Sequence, residues 1–222
     1  LDTNDEWIRT RTGIVGRHVL GDDESLVSLG TESVKKALTQ SGLSSDEIDL
    51  IVCTSLQGDF VSPSMSCIIG GNIGVRDDCI TLDINMGCCG FIYGLHVASS
   101  YIKSGMAKCA VVVSAESLSR LVDWTDRANC ILCGDGAGAI VLKADENSSD
   151  VVFDFKLKPN SEYLKVDRGN DNCPYNTCES VRALKMNGQE IYKFAVSSVP
   201  ERINALLDKT GYSHDDISKY FL

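Results

Sequence analysis

The chain contains 222 residues, 43% of them hydrophobic, which is enough for one large folded core or two smaller ones. Acidic side chains outnumber basic ones by 31 to 21, and the net charge of −10 argues against general nucleic-acid binding, which needs a basic patch. No apolar run approaches the roughly 20 residues of a membrane span. No secretory signal is visible. We therefore expect a cytoplasmic globular protein without a nucleic-acid or membrane partner.

Ten cysteines are many for this length, and several lie inside apolar runs that resemble buried strands. Free cysteine packs as a small hydrophobic residue, and a chain without a secretory signal favours a reducing compartment over disulfides. Cys130 and Cys133 have a spacing typical of metal ligands, but in a strand residues three apart face opposite sides. Cys173 and Cys178 lie in a polar segment with no nearby histidine. We therefore predict no metal site.

The first part of the chain alternates between helical and strand patterns. Residues 1–20 are polar and turn-rich, and a helical apolar stripe follows from Ser25 to Gln40, with Gly42 as its C-terminal cap. In chain order we then predict a strand at 49–55, a helix through Cys67, a strand at 79–84, a helix at 89–104 and a strand at 109–115. This alternation is typical of an α/β fold with a mainly parallel sheet.

The second part of the chain is less regular. The glycine-rich segment 134–139 leads into a predicted strand at 140–142, and residues 151–157 resemble another strand. Residues 159–183 are polar and predict a long loop. Residues 186–207 have a helical pattern, in which Pro200 either starts a new segment or kinks the helix.

The most informative segment is Asp83-Ile84-Asn85-Met86-Gly87-Cys88-Cys89-Gly90-Phe91, where a predicted strand meets a predicted helix. The unpaired N–H groups at a helix N-terminus favour a thiolate and can bind a developing oxyanion. Flanking glycines let the backbone turn sharply and let a substrate approach closely. The segment therefore makes Cys88 a candidate nucleophile.

Five short motifs, each weak alone, follow one another in a specific order. They are Asp5–Ile8 with Thr10–Ile14, Cys88–Phe91, Thr125–Arg127, Gly134–Ala139 and Met186–Glu190. Together they resemble the 3-oxoacyl-(acyl-carrier-protein) synthase III family over essentially the whole chain. The resemblance implies a thiolase-like fold with αβαβα layers and mainly parallel sheets, usually as a homodimer.

The same resemblance implies a decarboxylating Claisen condensation. A cysteine takes an acyl group from acyl-CoA, and malonyl-acyl-carrier protein then loses carbon dioxide to give a carbanion that attacks the thioester. The thioester intermediate divides one difficult step into two easier ones. Acyl-CoA is thus a substrate, and no permanently bound cofactor is expected.

The resemblance also assigns roles to particular residues. It implies Cys88 as nucleophile with Cys89 as a small filler, Trp7 and Arg127 around the CoA adenine, Arg11 and Thr12 at the nucleotide, and Met186 and Gly188 in the pantetheine tunnel wall. Indole and guanidinium groups both stack on aromatic faces, which suits the adenine role. By composition alone, Trp7 could be a surface anchor and Arg127 a solvated charge. Met186 and Gly188 could equally be a core methionine and a helix-start glycine.

The resemblance further predicts two similar halves, the first at 1–150 with the nucleophile and the second beginning at 151–222. The family also needs a histidine and an asparagine, which we expect beyond Leu222, so the second half is expected to be incomplete. The histidines present, His18, His96 and His214, receive no catalytic role. Two alternatives stay open: a specialised condensing or acyl-transfer enzyme of secondary metabolism, and a non-condensing module that binds CoA or acyl carriers.

Overall fold

The computed structural model describes residues 1–148, 151–167 and 183–221. The chain divides into two compact units. The sheet unit comprises Ile14–Arg120 and Cys133–Ser148, and the helical unit comprises Leu1–Gly13, Leu121–Leu132 and Ser149–Leu222. The predicted division into halves at residue 150 follows a different criterion, internal duplication, and stays a prediction.

The sheet unit is built on four strands with helices between them. Its elements are α2 (Leu26–Ser41), β1 (Leu50–Thr54), α3 (Met65–Ile73), β2 (Ile80–Ile84), α4 (Gly90–Lys103), β3 (Cys109–Ser117) and β4 (Asp135–Lys143), while α1 (Asp5–Thr12) precedes them in the helical unit. The strand order is β2-β1-β3-β4. Strand β1 runs parallel to β2 and β3, and β4 runs antiparallel to β3. The predicted α/β class with a mainly parallel sheet is confirmed.

Helices cover both faces of this sheet. Successive strand residues point to opposite sides, so each face of the sheet carries its own set of side chains. On one face, Ile51 and Val111 pack in a core with residues of α2 and α3. On the other face, Val52 and Val112 pack with Ala98 of α4. The central strands β1 and β3 are therefore buried from both sides, which explains their near-continuous apolar sequence.

Helix α4 approaches the sheet closely at Gly94. A Cβ atom at this position would lie 2.9 Å from Val112 Cγ1 and 3.0 Å from Thr54 Cγ2. We expect Gly94→Ala to lower the free energy of unfolding by about 1–3 kcal/mol, because overpacking outweighs the gain in helix propensity. Urea unfolding measures this change. Gly71→Ala in α3 is the control, because a Cβ atom added there would meet nothing within 4 Å, and an equal loss in both variants would contradict the packing argument.

The helical unit contains α1, α5 (Arg127–Cys130), a two-stranded antiparallel sheet of β5 (Leu164–Val166) and β6 (Leu184–Met186), and α6 (Gly188–Thr210). Backbone hydrogen bonds connect these distant segments: the Leu184 N–H donates to the Leu121 carbonyl at 2.7 Å, and the Asn187 N–H donates to the Tyr163 carbonyl at 2.8 Å. Helix α6 is a single element of 23 residues that continues through Pro200.

Two predictions about the elements were wrong, each for a different reason. Residues 5–12 form helix α1 instead of turns, since the Asn4 side chain caps the Trp7 N–H at 2.8 Å and Gly13, with φ of 74°, ends the helix. Strand β4 begins at Asp135, not at residue 140, because Asp135 already pairs with Ser117 of β3. Cross-strand pairing thus includes Gly136 and Gly138, which are poor strand formers.

Two further expectations need correction. The segment 151–157 is not a strand; it is tied to α6 by ion pairs of Lys156 with Glu201 and of Asp154 with Arg202, the latter at 3.1 Å. Cys130 is the last residue of helix α5, whereas we expected it to lie in a strand. Cys173 and Cys178 and most of the predicted loop at 159–183 lie outside the described residues.

Candidate active site

The candidate nucleophile lies where strand β2 passes into helix α4. Residues Gly87–Cys89 form one 3₁₀ turn, and α4 begins at Gly90, whose N–H donates to the Gly87 carbonyl. Gly87 has φ of 54°, a conformation that other residues rarely adopt. Cys88 is exposed and its thiol is free. The structure thus presents Cys88 at a helix N-terminus, where partial positive charge can stabilise an anion.

The first residue of α4 fits closely against the end of strand β1. A Cβ atom on Gly90 would lie 3.0 Å from Thr54 Cβ and 3.1 Å from Thr54 Oγ1. Thr54 is fully buried, at 1% exposure, and its hydroxyl has no hydrogen-bond partner among the described residues. A glycine at position 90 therefore lets the turn that carries Cys88 lie directly on the end of β1.

In the helical unit, Trp7 lies close to two guanidinium groups. Arg127 Cζ is 4.9 Å from the indole centroid and Arg11 Cζ is 5.8 Å from it, both within the range of cation–π attraction. The Arg127 Nη1 also donates to the Asp2 carbonyl at 2.7 Å. An adenine between Trp7 and Arg127 needs two contacts of about 3.5 Å each. The two side chains must therefore separate before they can enclose a base.

The other predicted contacts with CoA lie in the same unit. The Thr12 hydroxyl donates to the Ile8 carbonyl of its own helix at 2.7 Å. Met186 ends strand β6 and Gly188 begins α6. Both line a surface cavity of about 690 Å³, together with Ala128, Glu162, Lys185, Asn187 and Gln189. The structure therefore brings Met186 and Gly188 to one cavity and brings Trp7, Arg11 and Arg127 to one cluster.

The histidines occupy different settings. The His18 carbonyl accepts the Asp135 N–H at 2.8 Å. His96 lies within α4, about two turns beyond Cys88. His214 contacts Tyr220 Oη at 2.8 Å and Asn204 Oδ1 at 3.0 Å. None of these contacts is with Cys88.

A half-buried carboxylate that the sequence reasoning missed lies in the sheet unit. Glu116 interrupts the apolar sequence of β3, and its Oε1 accepts the Leu56 N–H at 2.8 Å. The Leu56 carbonyl in turn accepts the Asn85 side-chain N–H at 3.1 Å. A single charged residue near the end of an otherwise apolar strand was the signal that could have drawn attention to Glu116.

The structure also bears on metal binding and membrane insertion. Within residues 1–148, 151–167 and 183–221, no three His, Cys, Asp or Glu side chains are grouped so that they could hold a metal ion. Among the helices in those same ranges, none has both the length and the apolar character needed to cross a bilayer.

The fold and the turn that carries Cys88 define the class of thiolase-like condensing enzymes, and comparisons with known proteins agree. The family model of 3-oxoacyl-[acyl-carrier-protein (ACP)] synthase III matches residues 82–161, which include Cys88 and Arg127. The crystal structure of 3-oxoacyl-[acyl-carrier-protein] synthase III from Aquifex aeolicus superposes with a TM-score of 0.86 at 38% identity, over 98% of this chain and 67% of that one.

Curated relatives give the same result. The β-ketoacyl-[acyl-carrier-protein] synthase III of Rhizobium johnstonii is 39% identical over 98% of this chain and 68% of its own length. The corresponding protein of Neisseria meningitidis serogroup A is 38% identical over 96% of this chain and 66% of its own length. The chain belongs to the β-ketoacyl-[acyl-carrier-protein] synthase III family. It spans about two thirds of the length of these relatives.

Proposed function

We propose that the protein is a condensing enzyme of fatty-acid synthesis that accepts an acyl group from acyl-CoA onto Cys88. The observation that carries this proposal is the exposed thiol of Cys88 at the β2–α4 turn in a chain of this family. The Cys88 thiolate attacks the thioester carbonyl, the carbonyl oxygen becomes an oxyanion, and CoA leaves as its thiolate. The products are acyl-Cys88 and free CoA.

The second half of the proposed reaction uses malonyl-acyl-carrier protein. Loss of carbon dioxide leaves a carbanion, which attacks acyl-Cys88 and releases the cysteine thiolate with formation of a carbon–carbon bond. Acyl-CoA and the carrier protein are thus substrates, and we propose no permanently bound cofactor. A homodimer and a cytoplasmic location likewise remain proposals that follow from the family.

Mass spectrometry tests the acylation step directly. The full chain is incubated with acetyl-CoA or octanoyl-CoA, quenched in acid and analysed intact and after digestion. We expect a mass increase of one acyl group on the peptide that contains Cys88, with release of one equivalent of CoA. The absence of any adduct with either donor contradicts the proposal and supports a module that binds CoA without reacting.

We further propose that Trp7 and Arg127 hold the CoA adenine by stacking on its two faces. Stacking of a base on an aromatic side chain contributes about 1–3 kcal/mol. We therefore expect Trp7→Ala to weaken CoA binding about tenfold in isothermal titration, with Arg127→Ala weakening it in the same direction. Neither variant should change the alkylation rate of Cys88 by iodoacetamide, which requires no CoA.

The control for this prediction is Tyr212→Ala, which removes an exposed aromatic side chain elsewhere in the helical unit. Unchanged CoA affinity in Tyr212→Ala and a tenfold loss in Trp7→Ala would support the adenine role. If Trp7→Ala binds CoA as tightly as the wild type, Trp7 is a surface anchor instead.

A further inference from the structure

The carboxylate of Glu116 is connected through Leu56 to Asn85, which precedes the turn that carries Cys88. Strand β1 ends at Thr54, and Ser55 and Leu56 are the next two residues of the chain. Glu116 accepts the Leu56 N–H at 2.8 Å. The carboxylate of Glu116 thus anchors the backbone N–H of Leu56, two residues beyond the end of β1.

On its other side, Leu56 contacts the loop that precedes the turn carrying Cys88. Asn85 Nδ2 donates to the Leu56 carbonyl at 3.1 Å, and the Ser55 N–H donates to the Ile84 carbonyl at 3.2 Å. Asn85 stands three residues before Cys88, between the end of β2 and the 3₁₀ turn. Leu56 therefore offers its N–H to Glu116 and its carbonyl to Asn85, and so connects β3 with the loop before Cys88.

We propose that Glu116 is a positioning residue for Cys88, acting through Leu56 and Asn85. The inference rests on the proposed acylation of Cys88. Catalytic geometry tolerates little displacement of the reacting atom, so the hydrogen bonds that hold the loop before Cys88 can affect the reaction rate. Asn85 is the only side chain between Ile84 and Cys88 able to make this hydrogen bond, because Met86 and Gly87 carry no amide.

The setting of Glu116 suits a hydrogen-bond acceptor more than a charge. Burial raises the pKa of Glu116 to about 7, although the Leu56 N–H and the Ser55 hydroxyl act in the opposite direction. Near neutral pH the group is therefore partly protonated, and a neutral acceptor of the same shape should keep the Leu56 N–H in place. Two substitutions of Glu116 therefore differ in their expected effect. Glutamine keeps a side-chain oxygen that can accept the Leu56 N–H, whereas methionine fills a similar volume without an acceptor.

The test compares Glu116→Gln, Glu116→Met, Asn85→Ala and the double variant Glu116→Met/Asn85→Ala in the full chain. Two rates are measured for each at the peptide level: acylation of Cys88 by acetyl-CoA and alkylation of Cys88 by iodoacetamide. We expect Glu116→Met and Asn85→Ala each to slow acylation about 10-fold or more. The double variant should be no slower than the slower single variant, because both changes break the same connection.

Rescue by the conservative variant separates positioning from general stability. Glu116→Gln should recover at least a third of the wild-type acylation rate, and exchange of the Leu56 amide proton should be faster in Glu116→Met than in Glu116→Gln. The control Glu146→Ala removes an exposed glutamate of the same unit and should leave both rates unchanged. Additive losses in the double variant, or wild-type rates in Glu116→Met, overturn the proposal.

The two rates also separate this inference from the proposed function. If wild-type Cys88 is not acylated, the proposed function fails, while alkylation by iodoacetamide still reports whether Glu116 and Asn85 affect the thiol. Coupled changes in alkylation then support the connection through Leu56, and unchanged alkylation in all variants overturns it. If Glu116→Met does not fold, hydrogen exchange of the Leu56 amide is compared in Glu116→Gln and Asn85→Ala. Protection of this amide that is lost in Asn85→Ala and kept in Glu116→Gln supports the connection. Any other pattern overturns it.

Discussion

Replacing Cys88 with alanine is expected to abolish the acyl adduct. The acyl group needs a thiolate to attack the thioester carbonyl, and removal of a nucleophile typically costs about 10³-fold or more in rate. The comparison variant is Cys89→Ala, which alters the neighbouring residue in the same turn and should keep the adduct. Intact mass after incubation with acetyl-CoA measures both, and the folded state is checked by urea unfolding.

Other exposed cysteines provide the control for this result. Cys67 and Cys89 are also exposed and free, so uncatalysed thiol exchange with acyl-CoA could label them slowly. Cys67→Ala should acylate at the wild-type rate, because α3 presents Cys67 without a strand-to-helix turn around it. An adduct of wild-type yield in Cys88→Ala contradicts the assignment of the nucleophile, whichever cysteine carries it.

The second large effect is expected at Asp135, in the first residue of β4. Its carboxylate accepts the Ser119 N–H at 2.9 Å, the Ser119 hydroxyl at 2.6 Å and the Leu20 N–H at 2.9 Å. Asp135→Ala leaves these donors without their acceptor, and we expect the free energy of unfolding to fall by about 3 kcal/mol. Asp135→Asn should lose less, because the amide oxygen still accepts. Urea unfolding at pH 7 gives both values.

The pH dependence of stability gives an independent check on Asp135. Burial acts to raise the pKa of Asp135, but hydrogen bonds from Ser119, Leu20 and Ser117 outweigh burial, so the pKa lies below its usual value of 3.8. A carboxyl group with a lowered pKa stabilises the folded state above the unfolded-state pKa, and this contribution is lost as the pH falls through the folded-state value. Wild-type stability should therefore fall more steeply below about pH 4 than that of Asp135→Asn.

The control is Asp23→Asn, which removes an exposed carboxylate of the same unit. Its free energy of unfolding should stay within about 0.5 kcal/mol of the wild type, as for most surface changes. Equal losses in Asp23→Asn and Asp135→Asn would show that net charge, and not the hydrogen bonds of Asp135, controls stability.

Much of the sheet unit could be predicted from the sequence because its signals are local. The helix predicted at 25–40 forms as α2, with Ser25 accepting the Ser28 N–H and Gly42 ending it at φ of 70°. The strands predicted at 49–55, 79–84 and 109–115 form as β1, β2 and β3 within two residues of their predicted bounds. Strand β4 was predicted to start late, because its glycine-containing first half is specified by pairing with β3 and not by its own sequence.

The candidate site likewise has a part that local sequence specifies and a part that only the folded chain brings together. The turn around Cys88 follows from contiguous residues, and both motif and structure place it between β2 and α4. The connection from Glu116 through Leu56 to Asn85 joins residues that are 60 and 29 positions apart. No periodicity or spacing rule links such positions, so only the folded backbone brings them together.

The interleaving of the two units has a consequence for how the chain is synthesised and folded. The backbone passes from one unit to the other at residues 13–14, 120–121, 132–133 and 148–149. Residues at the beginning of the chain, such as Trp7, belong to a unit whose α6 is translated almost two hundred residues later. The last segment of the sheet unit, by contrast, ends at Ser148. The described strands of this unit can therefore pair on the ribosome before α6 is synthesised. We thus expect the turn that carries Cys88 to form before the cluster of Trp7, Arg11 and Arg127 has its full surroundings.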